Sequence, residues 1–309
     1  MNKDMLDKEL DLLARLPLEE LILKANKVRR DFIGDSLDLC SIINAKSGLC
    51  SEDCRFCAQS SMHSTDISVY PLKNKDELLN AAEQAKNIGA RRFGIVTSGN
   101  RLTYKEIEVI AEALREIKSK IGISLCASLG ALRQKELSVL KQAGLSFYHH
   151  NIETSEKFYP SIVTTHDFNE RLNTIKAAKE AGLKVCSGGI IGMGEGWQDR
   201  IDMALTLKEL EVDSIPINIL VPIKGTAFDS LNIISCVDVI KTIAIFRIIL
   251  KDKTIKIAAG RENVLKDFQA LGFMAGANGM LIGGYLTVKG RPLKEDYRLI
   301  AEIKEIWKE

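Results

Sequence analysis

Short apolar runs alternate with amphipathic helical stretches along almost the whole chain, and this rhythm restricts the fold more than any other feature. Leu37–Ile43 reads as a strand, followed by a helix over Asp76–Ile88 with Leu78, Leu79, Ala82, Ala85 and Ile88 on one face. A strand at Arg92–Thr97 precedes a helix carrying Ile107, Ile110, Ala111, Leu114 and Ile117 at helical spacing. The alternation continues through strand Ile123–Cys126, helix Gln134–Ala143, strand Phe147–Ile152, helix Phe168–Ala181, strand Leu183–Ser187 and helix Trp197–Leu210. Strand Ile215–Leu220, helix Cys236–Leu250, strand Thr254–Ala259, helix Asn263–Leu271 and a short strand at Met280–Ile282 complete it. Gly89, Gly122, Gly144 and Gly182 fall where a helix gives way to a strand, as C-terminal caps do.

Eight strands alternating with helices predict an α/β fold, a (β/α)8 TIM barrel in one domain. The competing doubly wound sheet expects a GxGxxG turn after its first strand, and none is present. The string Gly192-Met-Gly194-Glu-Gly196 follows the fifth strand and reads as a tight turn. The expected organisation is an N-terminal helical extension over 1–36, the barrel over 37–290 and a helical cap over 291–309. Helix Cys236–Leu250 is apolar almost all round, which places it either deep in the protein or at a subunit interface.

Charge narrows the function classes. Lys and Arg number 43 against 41 Asp and Glu, a formal charge of +2, with no basic run or interleaved aromatics to hold nucleic acid. No stretch approaches the roughly 18 apolar residues of a membrane span. Met1–Leu16 carries acids throughout and does not read as a signal peptide. Seven cysteines with no export signal fit a reducing cytoplasm, where thiols serve metals.

Three of those cysteines lie within eight residues, Cys50-Ser-Glu-Asp-Cys54-Arg-Phe-Cys57, on the loop after the first strand. Cubane iron–sulfur clusters are held by cysteine thiolates. A [4Fe–4S] cluster has four iron corners, so three ligands leave one iron open. Structural zinc wants four ligands in a closed tetrahedron, and His63 is poorly spaced to be the fourth. A disulfide framework is not needed by a chain of this size.

Strand parity brings in further cysteines. Side chains alternate between the lumen and the helices. With Leu37 and Leu39 outward, Asp38, Cys40, Ile42 and Asn44 face in; with Ile123 and Leu125 outward, Ser124 and Cys126 face in. The same rule sends Lys184, Cys186 and Asn218 inward, and His149, Asn151 and Glu153 share a face. A lone buried cysteine behaves as a small hydrophobe, and Cys236 in its apolar helix keeps that reading. Three inward cysteines in a chain with a cluster loop point instead to a second metal site, since barrel cores favour branched apolar side chains.

The triplet, with Phe56 before its third cysteine, resembles the radical S-adenosylmethionine (SAM) superfamily, whose open iron chelates the amino and carboxylate groups of SAM. Wider motifs resemble the biotin synthase family: Asn151-Ile-Glu-Thr-Ser155, Phe158-Tyr159, Thr164-Thr165, Glu170-Arg171-Leu172, Lys184-Val-Cys186-Ser-Gly-Gly-Ile-Ile-Gly192-Met-Gly194-Glu195, Pro216-Ile-Asn218, Lys224-Gly-Thr226 and Ala259-Gly260-Arg261-Glu262. The resemblance runs from about Asp38 to Ile282. It implies a homodimeric TIM-barrel enzyme that converts dethiobiotin to biotin, consuming two SAM per product and taking sulfur from an auxiliary iron–sulfur cluster. An electron donor such as flavodoxin or ferredoxin is implied as partner. By position, Asn151 and Asn218 are implied to bind the ureido ring. Glu153, where many relatives have Asp, is implied to hold the SAM ribose. Arg171 and the turn Ile190–Gly194, with Gly192 in it, are implied to seat SAM.

The auxiliary site departs from the family pattern. Relatives with a [2Fe–2S] cluster use three cysteines and an arginine; Cys126, Cys186 and Arg261 are matched to three of these, while the second-strand cysteine is Gly94 here. Cys40, on the adjoining first strand, stands where those relatives carry serine. The expectation is an auxiliary cluster on Cys40, Cys126 and Cys186, either [2Fe–2S] or a four-iron form with an extra sulfide, with Arg261 as a further ligand or, with Cys40 in place, not needed as one. Hydrogenase maturase and methylornithine synthase share the fourth-strand motif and are the alternatives on this fold. A non-catalytic iron–sulfur carrier is the alternative of another class.

Overall fold

In the computed structural model, which describes residues 12–284, 286 and 290–308, the alternation resolves into one parallel sheet rolled upon itself. The strands are β1 (Asp38–Lys46), β2 (Arg92–Thr97), β3 (Ser124–Ser128), β4 (Phe147–His149), β5 (Lys184–Cys186), β6 (Gly189–Ile191), β7 (Ser214–Ile219), β8 (Thr254–Ile257) and β9 (Gly279–Leu281). The strand order is β5-β4-β3-β2-β1-β9-β8-β7-β6, and a further β5–β7 pairing at Cys186 and Ser214 closes the ring. Segments β5 and β6 act as one strand broken at Ser187-Gly188, so the barrel has the eight staves expected of it. Only glycine fits at this point, because a Cβ on Gly188 would lie 2.0 Å from the Pro216 carbonyl oxygen.

The helices form because their apolar residues recur on one face and their ends are capped. Asn74 and Thr103 open helices Lys75–Asn87 and Tyr104–Lys120 with reciprocal capping boxes to Glu77 and Glu106. Each such cap is worth about 1 kcal/mol. The expected helix Asn263–Leu271 is broken into Arg261–Val264, a short turn at Lys266–Phe268 and Gln269–Met274.

Helix Cys236–Leu250 is buried rather than left for a partner. Helix Leu18–Phe32 covers it from outside, and helices Trp197–Glu209 and Gln269–Met274 flank it. Of the expected N-terminal extension, residues 1–11 lie outside the described residues. Helix Leu293–Lys308 follows the barrel and packs Ile303 and Trp307 into the core. Among the described residues no helix is long and apolar enough to cross a membrane.

Candidate active site

The loop after β1 folds tightly around its three thiols. Cys50 N–H donates to the Gln59 carbonyl at 3.0 Å, and Ser61 N–H returns to the Cys50 carbonyl at 2.7 Å. His63 turns Nδ1 to the Cys57 carbonyl at 2.9 Å, so it is spent on the loop's own backbone. Asp53 clamps the loop to the far side of the barrel mouth by accepting from the backbone N–H of Thr164 (2.9 Å) and Thr165 (3.2 Å) and from both hydroxyls. All seven cysteines are free.

Burial pushes the Cys57 thiol up to about 11, and Cys54 is raised for the same reason. Their thiolate forms therefore require a cationic partner, which bound iron supplies. Among the described residues no three His, Cys, Asp or Glu side chains converge as closely as one metal ion demands. Closely spaced thiols on one loop are the donors that cubane iron–sulfur clusters use.

Below the loop, one cavity of about 440 Å³ runs into the barrel lumen. Cys50, Cys54, Phe56 and Cys57 line its mouth, and Cys40, Cys126 and Cys186 line its interior. Parity explains the convergence. Cys40 pairs in register with Arg92, Gly94 with Cys126, and His149 with Cys186, so neighbouring strands present these side chains to one lumen. A Cβ on Gly94 would sit 3.0 Å from Ile42 Cγ2, so Ile42 occupies the space a cysteine at position 94 would need. Lys184, at the start of β5, is exposed at the opposite end of the barrel, where its ammonium faces the Phe147 ring.

The lumen also carries two cations, Lys256 and Arg92, that are absent from the sequence expectations. Lys256 Nζ contacts Cys40 Sγ at 2.6 Å and Asp38 Oδ2 at 2.8 Å, and Arg92 reaches the same carboxylate at 3.0 Å. Burial opposes ionisation of Asp38, but Lys256 and Arg92 outweigh it and hold the carboxyl below its ordinary range. Burial raises the Cys40 thiol despite Lys256. Burial also acts on Cys186, yet His149 Nδ1 at 3.4 Å, with Lys256 and Arg92 behind it, brings that thiol down to about 6. Arg92 Nη1 is buried without a hydrogen-bond partner among the described residues. An orphaned donor beside three thiols fits an acceptor-rich group such as an iron–sulfur cluster, because leaving it unpaired is costly.

Arg261 requires a correction. Its guanidinium turns away from the lumen and donates through Nη2 to both oxygens of Asp296 at 2.9 Å, with Gln269 and the Leu281 carbonyl as further acceptors. Gly260, at φ +85°, is the N-cap of helix Arg261–Val264 beyond the end of β8, and Ala259, Gly260 and Glu262 line the cavity while Arg261 donates to Asp296. Lys256, five residues earlier, is the basic side chain that β8 sends inward.

The remaining expected residues divide. Asn151, Glu153, Arg171, Ile190 and Asn218 all line the cavity. Asn151 accepts from Gly188 N–H at 3.1 Å and donates to Glu153 at 3.3 Å. Asn218 ties β6 to the end of β8 through Gly189 O and Ala259 N–H. Each amide keeps a spare donor and acceptor site. Glu153 adopts φ +67°, a strained conformation for a non-glycine residue and one that clusters at functional sites. Burial raises its carboxyl against the opposing charge of Arg171.

Gly192 and Gly194 do not line the cavity. They lie in a turn held by the Glu195 carboxylate, which accepts from Gly192 N–H (2.9 Å), Met193 N–H (2.7 Å) and Arg200 Nε (2.8 Å). Glu52 and His166, absent from the sequence expectations, also line the cavity, linked at 2.8 Å.

Comparison with known proteins agrees with this geometry. Residues 46–207 match the Radical SAM superfamily and residues 216–304 the Biotin and Thiamin Synthesis associated domain. Biotin synthase of Thermotoga petrophila is 53% identical over 93% of this chain and 95% of its own. Biotin synthase of Geobacter sulfurreducens is 46% identical over 96% and 90%. Among solved structures, methylornithine synthase superposes with a TM-score of 0.83 at 21% identity, covering 96% of this chain and 92% of its own. The FeFe-hydrogenase maturase HydG of Carboxydothermus hydrogenoformans gives 0.78 at 19%, covering 97% and 77%. At such identities these two establish the shared barrel alone. The cysteine loop, the closed barrel and the close relatives together place the chain in the biotin synthase family of radical SAM enzymes.

Proposed function

We propose that this enzyme inserts sulfur between two saturated carbons of dethiobiotin to form biotin. The observation that carries the reading is one lumen lined by two separate cysteine sets, Cys50/Cys54/Cys57 at its mouth and Cys40/Cys126/Cys186 in its interior. When bound, a [4Fe–4S] cluster with SAM supplies a 5′-deoxyadenosyl radical able to take hydrogen from an unactivated C–H bond, and an auxiliary cluster supplies sulfur.

Cys50, Cys54 and Cys57 hold the first cluster. Cys40, Cys126 and Cys186 hold the auxiliary one, of two irons or of four with an extra sulfide. The cations of Lys256 and Arg92 offset its negative charge. Asn151 and Asn218 orient the ureido ring with their spare amide sites. Glu153 takes the ribose hydroxyls, Arg171 and Ile190 seat the rest of SAM, and Glu195 fixes the turn behind it. The narrow lumen excludes water from the reacting carbons. A one-electron donor such as flavodoxin or ferredoxin, a homodimeric state and a cytoplasmic site complete the proposal.

The test is turnover of anaerobically reconstituted protein. Biotin and 5′-deoxyadenosine, formed only when dethiobiotin is present, are expected. A chain that loads iron yet cleaves no SAM in response to dethiobiotin is a carrier, and the proposal fails.

A further inference from the structure

The guanidinium of Arg171 is held in the cavity by two neighbours. Its Nε donates to the Tyr159 hydroxyl at 3.0 Å, and its Nη2 meets His166 Nε2 at 2.7 Å. Arginine has no acceptor and is always protonated, so His166 Nε2 receives this bond. The ring proton then sits on Nδ1, which meets the Glu52 carboxylate at 2.8 Å. The His166 side chain is only 2% exposed, and Tyr159 stacks edge-on against its ring. Glu52 belongs to the cluster loop, between Cys50 and Cys54. One chain of contacts therefore runs from that loop through a histidine to the arginine that faces the lumen.

We propose that His166 is a positioning residue for SAM: it holds Arg171 toward the carboxylate end of the cosubstrate, in an orientation set by Glu52 from within the cluster loop. Carboxylate is the natural partner of a guanidinium whose Nη1 carries no hydrogen bond among the described residues. The link makes SAM seating depend on an ordered cluster loop. A binding site so arranged favours SAM after the cluster, not before it. This inference rests on the proposed reading that Arg171 seats SAM.

Two amide substitutions separate the two ends of the histidine. The amide of His166→Gln reaches the place of Nε2 and still accepts from Arg171; that of His166→Asn reaches the place of Nδ1 and serves Glu52 alone. Equilibrium dialysis of radiolabelled SAM against oxidised, cluster-loaded enzyme reads binding without turnover, with iron per chain measured on each sample. His166→Asn is expected to weaken SAM binding about tenfold or more, the scale of one lost hydrogen bond to a charged group. His166→Gln is expected to stay within about threefold of the parent, both with full iron content.

Equal affinity in the two variants at full iron, whether strong or weak, overturns the proposal. So does iron loss in both, which would make His166 a support of the loop itself. Arg171→Met isolates the underlying reading: if it binds SAM normally, Arg171 does not seat SAM, whereas a weak Arg171→Met beside a normal His166→Asn rejects the histidine alone.

Discussion

Replacing Asp296 by alanine tests where Arg261 belongs. The two side chains are 0% and 2% exposed, and the guanidinium meets both carboxylate oxygens at 2.9 Å. Removing one partner of a buried ion pair costs about 3–5 kcal/mol, because the other charge stays buried. Here Glu262 remains 3.3 Å from Nη2 and Gln269 still accepts, which puts the cost at the lower end, about 3 kcal/mol. At about 2–4 °C per kcal/mol, Asp296→Ala should lower Tm by about 6–12 °C. Far-UV circular dichroism of the cluster-free protein measures this, paired with iron analysis after reconstitution. The variant should load as much iron as its parent once folded. An unchanged Tm together with lost iron would refute the reasoning and return Arg261 to the auxiliary cluster.

Glu195→Ala strips the acceptor from Gly192 N–H, Met193 N–H and Arg200 Nε. It should cost about 2–3 kcal/mol in urea unfolding and weaken SAM binding about tenfold, since the turn beside Ile190 loses its anchor; unchanged binding would detach the turn from SAM. Glu106→Gln keeps the capping box but removes the charge facing Lys46 at 2.7 Å. Burial opposes ionisation of Glu106, yet Lys46 and Thr103 hold its carboxyl below the ordinary value, so its charge stabilises above that value and the gain fades as pH falls through the folded pKa. The variant should therefore be less stable by about 0.5–1 kcal/mol at neutral pH, and the gap should close as pH falls through the folded pKa of Glu106; a gap that does not change in acid would contradict the assignment.

Much of the barrel was legible because its strands alternate cleanly. Outward Ile, Leu and Val residues at every second position were enough to send Cys40, Cys126 and Cys186 to one lumen, which the register then bears out. The same rule, carried to β8, would have found Lys256 between Ile255 and Ile257; the motif around Ala259-Gly260 drew attention to Arg261 instead. Nothing in the motif foretold that Arg261 donates to Asp296, 35 residues further along. The need for glycine at position 188 depends on the Pro216 carbonyl on a neighbouring strand, a tertiary contact. His166 was hidden for a similar reason: its partner Glu52 lies 114 residues away, and only the folded loop brings them together.

On the proposed function, the sulfur of biotin leaves a cluster held by Cys40, Cys126 and Cys186. Protein reconstituted with iron and ³⁴S-sulfide, freed of excess sulfide and carried through one turnover with dethiobiotin, measures it by mass spectrometry of the biotin formed. Biotin carrying ³⁴S is predicted from the parent chain. Cys40→Ala should retain the iron of the Cys50/Cys54/Cys57 cluster but lose that of the auxiliary site and form no biotin. Unlabelled biotin, or a Cys40→Ala variant with full iron and full label in its product, would contradict the account.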